Sequence, residues 1–343
     1  MKILLIGPYP PPHGGISVHV SGIHLQLIAA GARCRVLDTS RDRPGLGFGI
    51  VMLRHAWQGW TLHLHTNGHN WKSWLLALGC GLAGQASGGG LLTLHSGMAP
   101  GYLRAAPLWR RKLAAFVCSL YTRIICVSDE IRSAILSLGL AADRTAIVPA
   151  CLKTERPEAS LDPSILAWIA RHQPLFSTAL FFRPEYGFDL LVTAVARLRL
   201  RYPSVGCLVM GSGEQQEEAE RQIHETGLEE NVLLLGDVNH DLCLALMSVS
   251  DVFLRTTLED GDSTSVREAL SLGVPVVASR IGTRPAGAIL FQPGDVGEML
   301  SKIDLAMATK RDGEVPAAGC MDRLMEIYQQ VTASNGGLCL SLK

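Results

Sequence analysis

Residues 252–278 read VFLRTTLEDGDSTSVREALSLGVPVVA. Two apolar runs, Val252 to Leu254 and Val274 to Ala278, show no alternation of apolar and polar residues, and a helix-period segment opening at Thr264 lies between them. Strands of that kind on either side of a helix are what a parallel sheet covered on both faces requires. Small hydroxyl residues, Ser263, Thr264 and Ser265, occupy the helix entry, where the first backbone N–H groups are free and the helix dipole favours negative charge. Two carboxylates stand eight positions apart, Asp260 in the loop after the strand and Glu268 about one turn into the helix. Such an entry can hold a diphosphate through N–H and hydroxyl groups, and a carboxylate deeper in the helix can accept two hydrogen bonds from a vicinal diol such as a ribose. A capping residue with a first-turn carboxylate accounts for the same residues as helix stabilisation alone.

The same alternation runs outward in both directions. In the first half the strand-like runs are Ile3 to Ile6, Cys34 to Leu37, Leu62 to His65, Leu91 to Leu94, Arg123 to Val127 and Thr145 to Val148, with helical stretches opening at Ile16, Phe48, Asn70, Pro107 and Asp129. In the second half they are Thr178 to Phe182, Gly206 to Met210, Val232 to Leu235, Val252 to Leu254, Val274 to Ala278 and Ile289 to Phe291, with helices from Phe188, Glu214, Asp241, Thr264 and Asp295. The polar, proline-containing stretch 153–174 is the natural join. An α/β protein of two doubly wound Rossmann-like domains is predicted, 1–155 and 174–318, facing each other across a cleft at the carboxyl ends of their strands. Residues 319–333 carry Leu324, Ile327, Tyr328 and Val331 at helical spacing, a final amphipathic helix expected to cross back to the first domain. The first strand-to-helix turn ends in Gly14-Gly15, adjacent glycines that let a phosphate approach bare N–H groups, although the spacing also suits a plain turn.

With 343 residues, 48% of them hydrophobic and 18% charged, the chain is long enough for two cores and too apolar for disorder. A net charge of zero conceals an asymmetry: residues 1–150 hold fourteen Lys and Arg against five Asp and Glu, a net +9, which leaves 17 against 26, a net −9, for the remainder. The basic half is expected to face an anionic surface or substrate. Nine scattered cysteines without C-x-x-C pairs read as reduced core residues of a cytoplasmic protein. MKILLIG runs directly into a proline-rich loop and is not a signal peptide. The stretch 73–103 lacks charged residues, but its glycines and His95 interrupt it, so it reads as a buried helix and a buried strand rather than a membrane span.

The D-x7-E element followed by EALSLGVPVVAS (268–279) resembles the E-x7-E region of the retaining, GT-B type glycosyltransferases of family 4, and Gly14-Gly15 sits where that family has its glycine loop. The resemblance extends through HLHTN (63–67), LTLHSG (92–97), IICVSDEIR (124–132), the Gly211-Ser212-Gly213 turn, NVLLLGDV (231–238) and AILFQPGDVGEM (288–299). It implies a GT-B fold and transfer of a hexose, with retention, from a UDP- or GDP-sugar to an acceptor hydroxyl in cell-surface glycan or exopolysaccharide synthesis. It also implies that Glu268 binds the ribose and that Asp260, in place of the more usual Glu, lies near the donor sugar. Ser263, Thr264, Ser265, Gly14, Gly15, Gly211, Gly213 and Val238 would line the donor, and His95 stands where the family often has a histidine reaching the sugar near the reacting carbon. His63 and His65 match only a strand-end pattern and read as core or cleft-lining residues.

One departure bears on mechanism. The family usually places an Arg after the first strand of the second domain and a Lys about five residues later, both on the diphosphate; here Phe182-Arg183-Pro184-Glu185-Tyr186 supplies Arg183 but puts Tyr186 at the expected Lys. Helix N-termini with Arg267 or Arg280 are the expected compensation. In the mechanism the resemblance implies, the leaving phosphate takes the acceptor proton, so no cofactor and no metal are expected even though Asp260 and Asp262 spell D-x-D. The acceptor side is read from YLRAAPLWRRK (102–112), where Arg104, Arg110, Arg111 and Lys112 accompany Trp109 and Leu108 in a manner suited to an anionic membrane interface. A lipid-linked or glycan acceptor and peripheral attachment to the inner face of the plasma membrane are expected, and no nucleic acid. Trp57, Trp60, Trp71 and Trp74 fit that interface and core packing equally. The competing readings are a non-catalytic sugar-nucleotide-binding subunit and a nucleotide-sugar epimerase or phosphorylase of related shape.

Overall fold

Ile3, Leu4, Leu5 and Ile6 are all sealed from solvent because helices cover both faces of the strand they form. Ile3 and Leu5 point into one core with Val20, Ile23 and Leu27, whereas Leu4 and Ile6 point into another with Phe48, Met52, Trp74 and Val117. A strand buried on both faces cannot alternate, which is why its sequence does not. The computed structural model describes residues 1–42, 45–150, 160–309 and 319–338.

Two units result, each built on a six-stranded sheet whose paired strands are all parallel. The first holds β1 (Lys2–Gly7), β2 (Arg33–Asp38), β3 (Thr61–Thr66), β4 (Leu91–Leu94), β5 (Arg123–Cys126) and β6 (Thr145–Ile147), in the order β2-β1-β3-β4-β5-β6. The second holds β7 (Leu175–Ala179), β8 (Gly206–Met210), β9 (Val232–Leu234), β10 (Val252–Arg255), β11 (Val276–Ser279) and β12 (Ile289–Phe291), in the order β12-β11-β10-β7-β8-β9. Residues 260–262 and the helix Cys320–Leu338 group with the first unit. That helix buries Leu324, Ile327, Tyr328 and Val331 in the core containing Ile3 and Leu5, each side chain contributing about 1.5–3 kcal/mol by removal from water.

The structure corrects several local expectations. β7 covers Leu175–Ala179 rather than Thr178 to Phe182. Leu180 to Phe182 are apolar because Phe182 turns its ring into the core against Phe188, 5.2 Å away, and not because they continue the strand. The join 153–174 contains a helix, Pro163–Ile169, capped by the Asp162 side chain on the Ser164 amide. A further helix, Met98–Ala105, follows β4. The helix Trp71–Gly84 is not wholly buried, since Trp71, Leu75 and Leu82 are exposed. Cys34, Cys243 and Cys320 are half-buried rather than core residues, and Cys151 and Cys339 lie outside the described residues.

Candidate active site

In an open parallel sheet, loops leaving neighbouring strands in opposite directions open a crevice at the strands' carboxyl ends. The switch falls between β1 and β3 in the first unit and between β7 and β10 in the second.

At the second of these switch points stands the 260–268 segment. Ser263 caps the helix Thr264–Ser271, its hydroxyl accepting from the Val266 amide at 3.4 Å and lying 3.2 Å from the Ser265 hydroxyl. Glu268 is 3% exposed, and its Oε1 lies 2.6 Å from His240 Nε2. His240 opens the helix His240–Ser248, whose cap is the Asn239 side chain on the Leu242 amide, and half-buried Val238 precedes that cap. Burial pulls the His240 pKa down, but the hydrogen bond to Glu268 and the charges of Glu268 and Asp241 outweigh it and leave the pKa raised. The His240 ring holds Glu268 in place as a hydrogen-bond acceptor.

Positive charge at this sheet end comes in part from Arg255 and Arg284, which the sequence did not single out. Arg255, the last residue of β10, is 8% exposed, donates to the Ala179 carbonyl at 2.8 Å and lies 5.1 Å from the Tyr186 ring centroid. Arg284 donates to the Ser279 carbonyl and to Thr257 Oγ1, both at 3.1 Å. Arg183 is half-exposed, over the Phe181 ring at 5.6 Å and 3.8 Å from Glu214, and Arg280 is exposed. An arginine closing an apolar strand run, as in VFLRTT, was the available signal for Arg255. Gly211 and Gly213 have a structural job: a Cβ on Gly211 would stand 1.8 Å from the Leu180 carbonyl oxygen, and one on Gly213 would stand 2.6 Å from the Phe182 amide.

The first unit assembles a different set. Gly14 caps the helix Gly15–Ala29, its amide donating to Ser17 Oγ at 2.9 Å while that hydroxyl donates to the Pro12 carbonyl at 2.6 Å. His19 on this helix packs against His65 from β3 and His95 after β4, and His63 from β3 packs against His65. His65 Nδ1 lies 3.1 Å from His95 Nε2, and His63 lies 2.6 Å from the Tyr328 hydroxyl and 2.7 Å from the Thr93 hydroxyl. Neighbouring rings are 4.1 to 5.7 Å apart. Burial pushes His19 down to about 4 and, with the charge of His19, His63 to about 3; it also pulls His65 and His95 well below the usual range. All four are neutral near pH 7. His65 is thus a hydrogen-bonded neighbour of His95, and His63 packs beside His65, an arrangement that their strand-end pattern alone did not reveal.

Asp260 also joins His95. The 260–262 backbone lies so close to 95–97 that a Cβ on Gly97 would stand 1.9 Å from the Asp260 carbonyl oxygen, and one on Gly261 2.2 Å from that of His95. Asp262 accepts from the Ala150 amide at 2.6 Å, and no group of His, Cys, Asp and Glu fit to hold a metal ion occurs among the described residues. Of the acceptor-side residues, Trp109 is 62% exposed with Arg110 stacked 5.0 Å from its ring, Arg104 and Arg110 are exposed, Arg111 is half-buried and Lys112 exposed.

Comparison with known proteins places these features in context. Residues 172–310 match the family described as Glycosyl transferases group 1. The gpi3 subunit of the phosphatidylinositol N-acetylglucosaminyltransferase of Schizosaccharomyces pombe is 27% identical over 188 residues, 54% of this chain and 40% of that protein. A GDP-mannose-dependent alpha-(1-6)-phosphatidylinositol monomannoside mannosyltransferase of Mycolicibacterium smegmatis is 28% identical over 141 residues, 39% of this chain and 36% of that protein. The chain thus spans about two fifths of the length of these curated relatives. Among solved structures, Anabaena HepE in complex with UDP-glucose superposes with a TM-score of 0.69 at 18% identity, over 100% of this chain and 99% of that one. The fold is GT-B, two Rossmann-like α/β domains.

Proposed function

We propose that this protein is a retaining glycosyltransferase that moves a hexose from a UDP- or GDP-sugar to a lipid-linked acceptor at an anionic membrane surface. The observation that carries the proposal is Glu268, buried and held by His240 at 2.6 Å behind a serine-capped helix entry, within the stretch that matches the group 1 family. A carboxylate so held offers its acceptor sites to a ribose diol, while the helix entry with Arg255, Arg284 and Arg183 meets the diphosphate. Arg255 takes the place of the cation missing at Tyr186. Stabilising the leaving diphosphate by charges already in position is the largest catalytic contribution available here. His95 and Asp260 meet the donor sugar, and the leaving phosphate accepts the acceptor's proton.

The lipid acceptor is supported by the two relatives, whose names specify phosphatidylinositol substrates, and by three neighbouring helices of the first unit. Leu46–Trp57, Trp71–Gly84 and Leu108–Ser119 contain no carboxylate, carry Arg54, Lys72, Arg110, Arg111 and Lys112, and leave Leu46, Trp57, Leu108 and Trp109 more than 60% exposed. Exposed apolar side chains amid basic ones suit partial insertion into an anionic lipid surface. The free thiols of Cys34, Cys80, Cys118, Cys126, Cys207 and Cys243 fit a reducing compartment on its cytoplasmic side. No helix among the described residues is long and apolar enough to cross a membrane.

Nucleotide release from UDP-glucose, UDP-N-acetylglucosamine and GDP-mannose, followed with and without phosphatidylinositol vesicles, tests the proposal. Lipid-dependent release from one donor, with labelled sugar recovered in the lipid fraction and unchanged by excess EDTA, is expected. Release that no lipid accelerates, or that EDTA abolishes, would contradict it.

A further inference from the structure

His65 is 1% exposed and has two ring nitrogens in unequal surroundings. Its Nδ1 lies 3.1 Å from His95 Nε2, whereas its Nε2 is buried with no hydrogen-bond partner. A neutral imidazole carries one N–H, so the proton sits on one nitrogen or the other. On Nε2 it would be a buried donor without an acceptor, which native structures avoid; on Nδ1 it is used, and only a bare lone pair is left unpaired. The Nδ1–H of His65 therefore donates to His95 Nε2. His95 then accepts at Nε2, and its own proton is confined to Nδ1.

We propose that His65 is a positioning residue that fixes His95 in the Nδ1–H tautomer, so that His95 meets its ligand as a hydrogen-bond donor rather than as a base. The surrounding geometry supports a fixed rather than exchanging arrangement. His95 is half-buried, His19 packs edge-on against it at 5.1 Å between centroids, and the His63 ring is 4.1 Å from that of His65. His63 is itself immobilised by the Thr93 and Tyr328 hydroxyls, at 2.7 and 2.6 Å. The chain of contacts thus runs from the C-terminal helix through two β3 histidines to the strand-end imidazole. A donor at Nδ1 selects an oxygen acceptor, such as a sugar hydroxyl or phosphate oxygen. That ligand class rests on the function proposed above; the tautomer does not.

The test needs no substrate. In the full chain labelled with 15N-histidine at pH 7.5, two-bond proton–nitrogen correlations report which ring nitrogen of each histidine is protonated, and loss of one pattern in His95→Asn assigns His95. The expected pattern is a protonated Nδ1 and a bare Nε2 on His95. His65→Asn, whose amide can occupy the Nδ1 position, is expected to preserve it, and His65→Leu to convert His95 to a mixture of tautomers while leaving the His63 pattern in place. A protonated Nε2 or an imidazolium at His95 in the unsubstituted protein would overturn the proposal even if neither variant folds, as would an unchanged His95 pattern in folded His65→Leu. A donor tautomer in a protein that binds no nucleotide sugar would uphold this assignment and reject the functional one.

Discussion

Three buried histidines in the first unit, His19, His63 and His65, make its stability depend on acid. An unfolded histidine takes up a proton as pH falls below about 6.5, whereas the folded protein keeps His19 neutral to about 4 and His63 neutral to about 3. Stability is therefore present in full above the unfolded pKa and is lost as pH falls towards the folded one, by about 1.4 kcal/mol per pH unit for each such group. His19→Leu removes a titrating ring whose Nδ1 has no partner. It is expected to lower the dependence of unfolding free energy on pH by about one proton between pH 6.5 and 4, read from urea midpoints. An unchanged slope would show that His19 titrates alike in both states. At the other sheet, Arg255→Gln is expected to weaken nucleotide-sugar binding about tenfold or more, the worth of one charged hydrogen bond, with Arg255→Lys recovering part of the loss. Equal affinity in a folded Arg255→Gln protein would remove Arg255 from the diphosphate site. Neither arginine nor histidine cluster was legible residue by residue, because partners such as His63 and Tyr328 are 265 positions apart and meet only through the fold.

At the scale of elements, the helix Leu108–Ser119 and its neighbours Leu46–Trp57 and Trp71–Gly84 present apolar side chains that the core does not use. Flotation with phosphatidylcholine vesicles, with and without phosphatidylglycerol, is expected to recover the protein on the anionic vesicles at low salt and to release it as salt rises. Leu108→Ser, which removes a 75% exposed leucine, is expected to weaken binding about tenfold without lowering the melting temperature. Equal recovery on both vesicle types would argue against a lipid-facing surface. The basic part of this surface was visible in LWRRK, but the contribution of the other two helices was not. Trp57 and Trp60 are three positions apart, yet Trp57 is 79% exposed and Trp60 8%, because Trp60 lies beyond the end of its helix and turns back onto the core. β7 was misplaced for a related reason, since burial of Phe182 under a loop has the same composition as burial in a strand.

For the molecule as a whole, the alternation of unpatterned apolar runs with helix-period segments pointed to two parallel sheets, because strands covered on both sides do not alternate. Composition carried the charge asymmetry of +9 and −9 as well, but not its local exceptions: the acidic half places Arg255 and Arg284 at the carboxyl end of its own sheet. Local sequence order carried the Glu268 site, whose residues lie within one loop and helix, and missed His240, which reaches it from a separate helix. The central claim is that this site binds a nucleotide sugar. Calorimetric titration of the full chain with UDP-glucose, UDP-N-acetylglucosamine and GDP-mannose, repeated on Glu268→Gln, measures it directly. Binding of at least one donor is predicted, weakened about tenfold or more by the substitution, since one charged acceptor to the ribose is lost; affinity unchanged in Glu268→Gln, or no binding of any of the three donors by the unsubstituted protein, would contradict it.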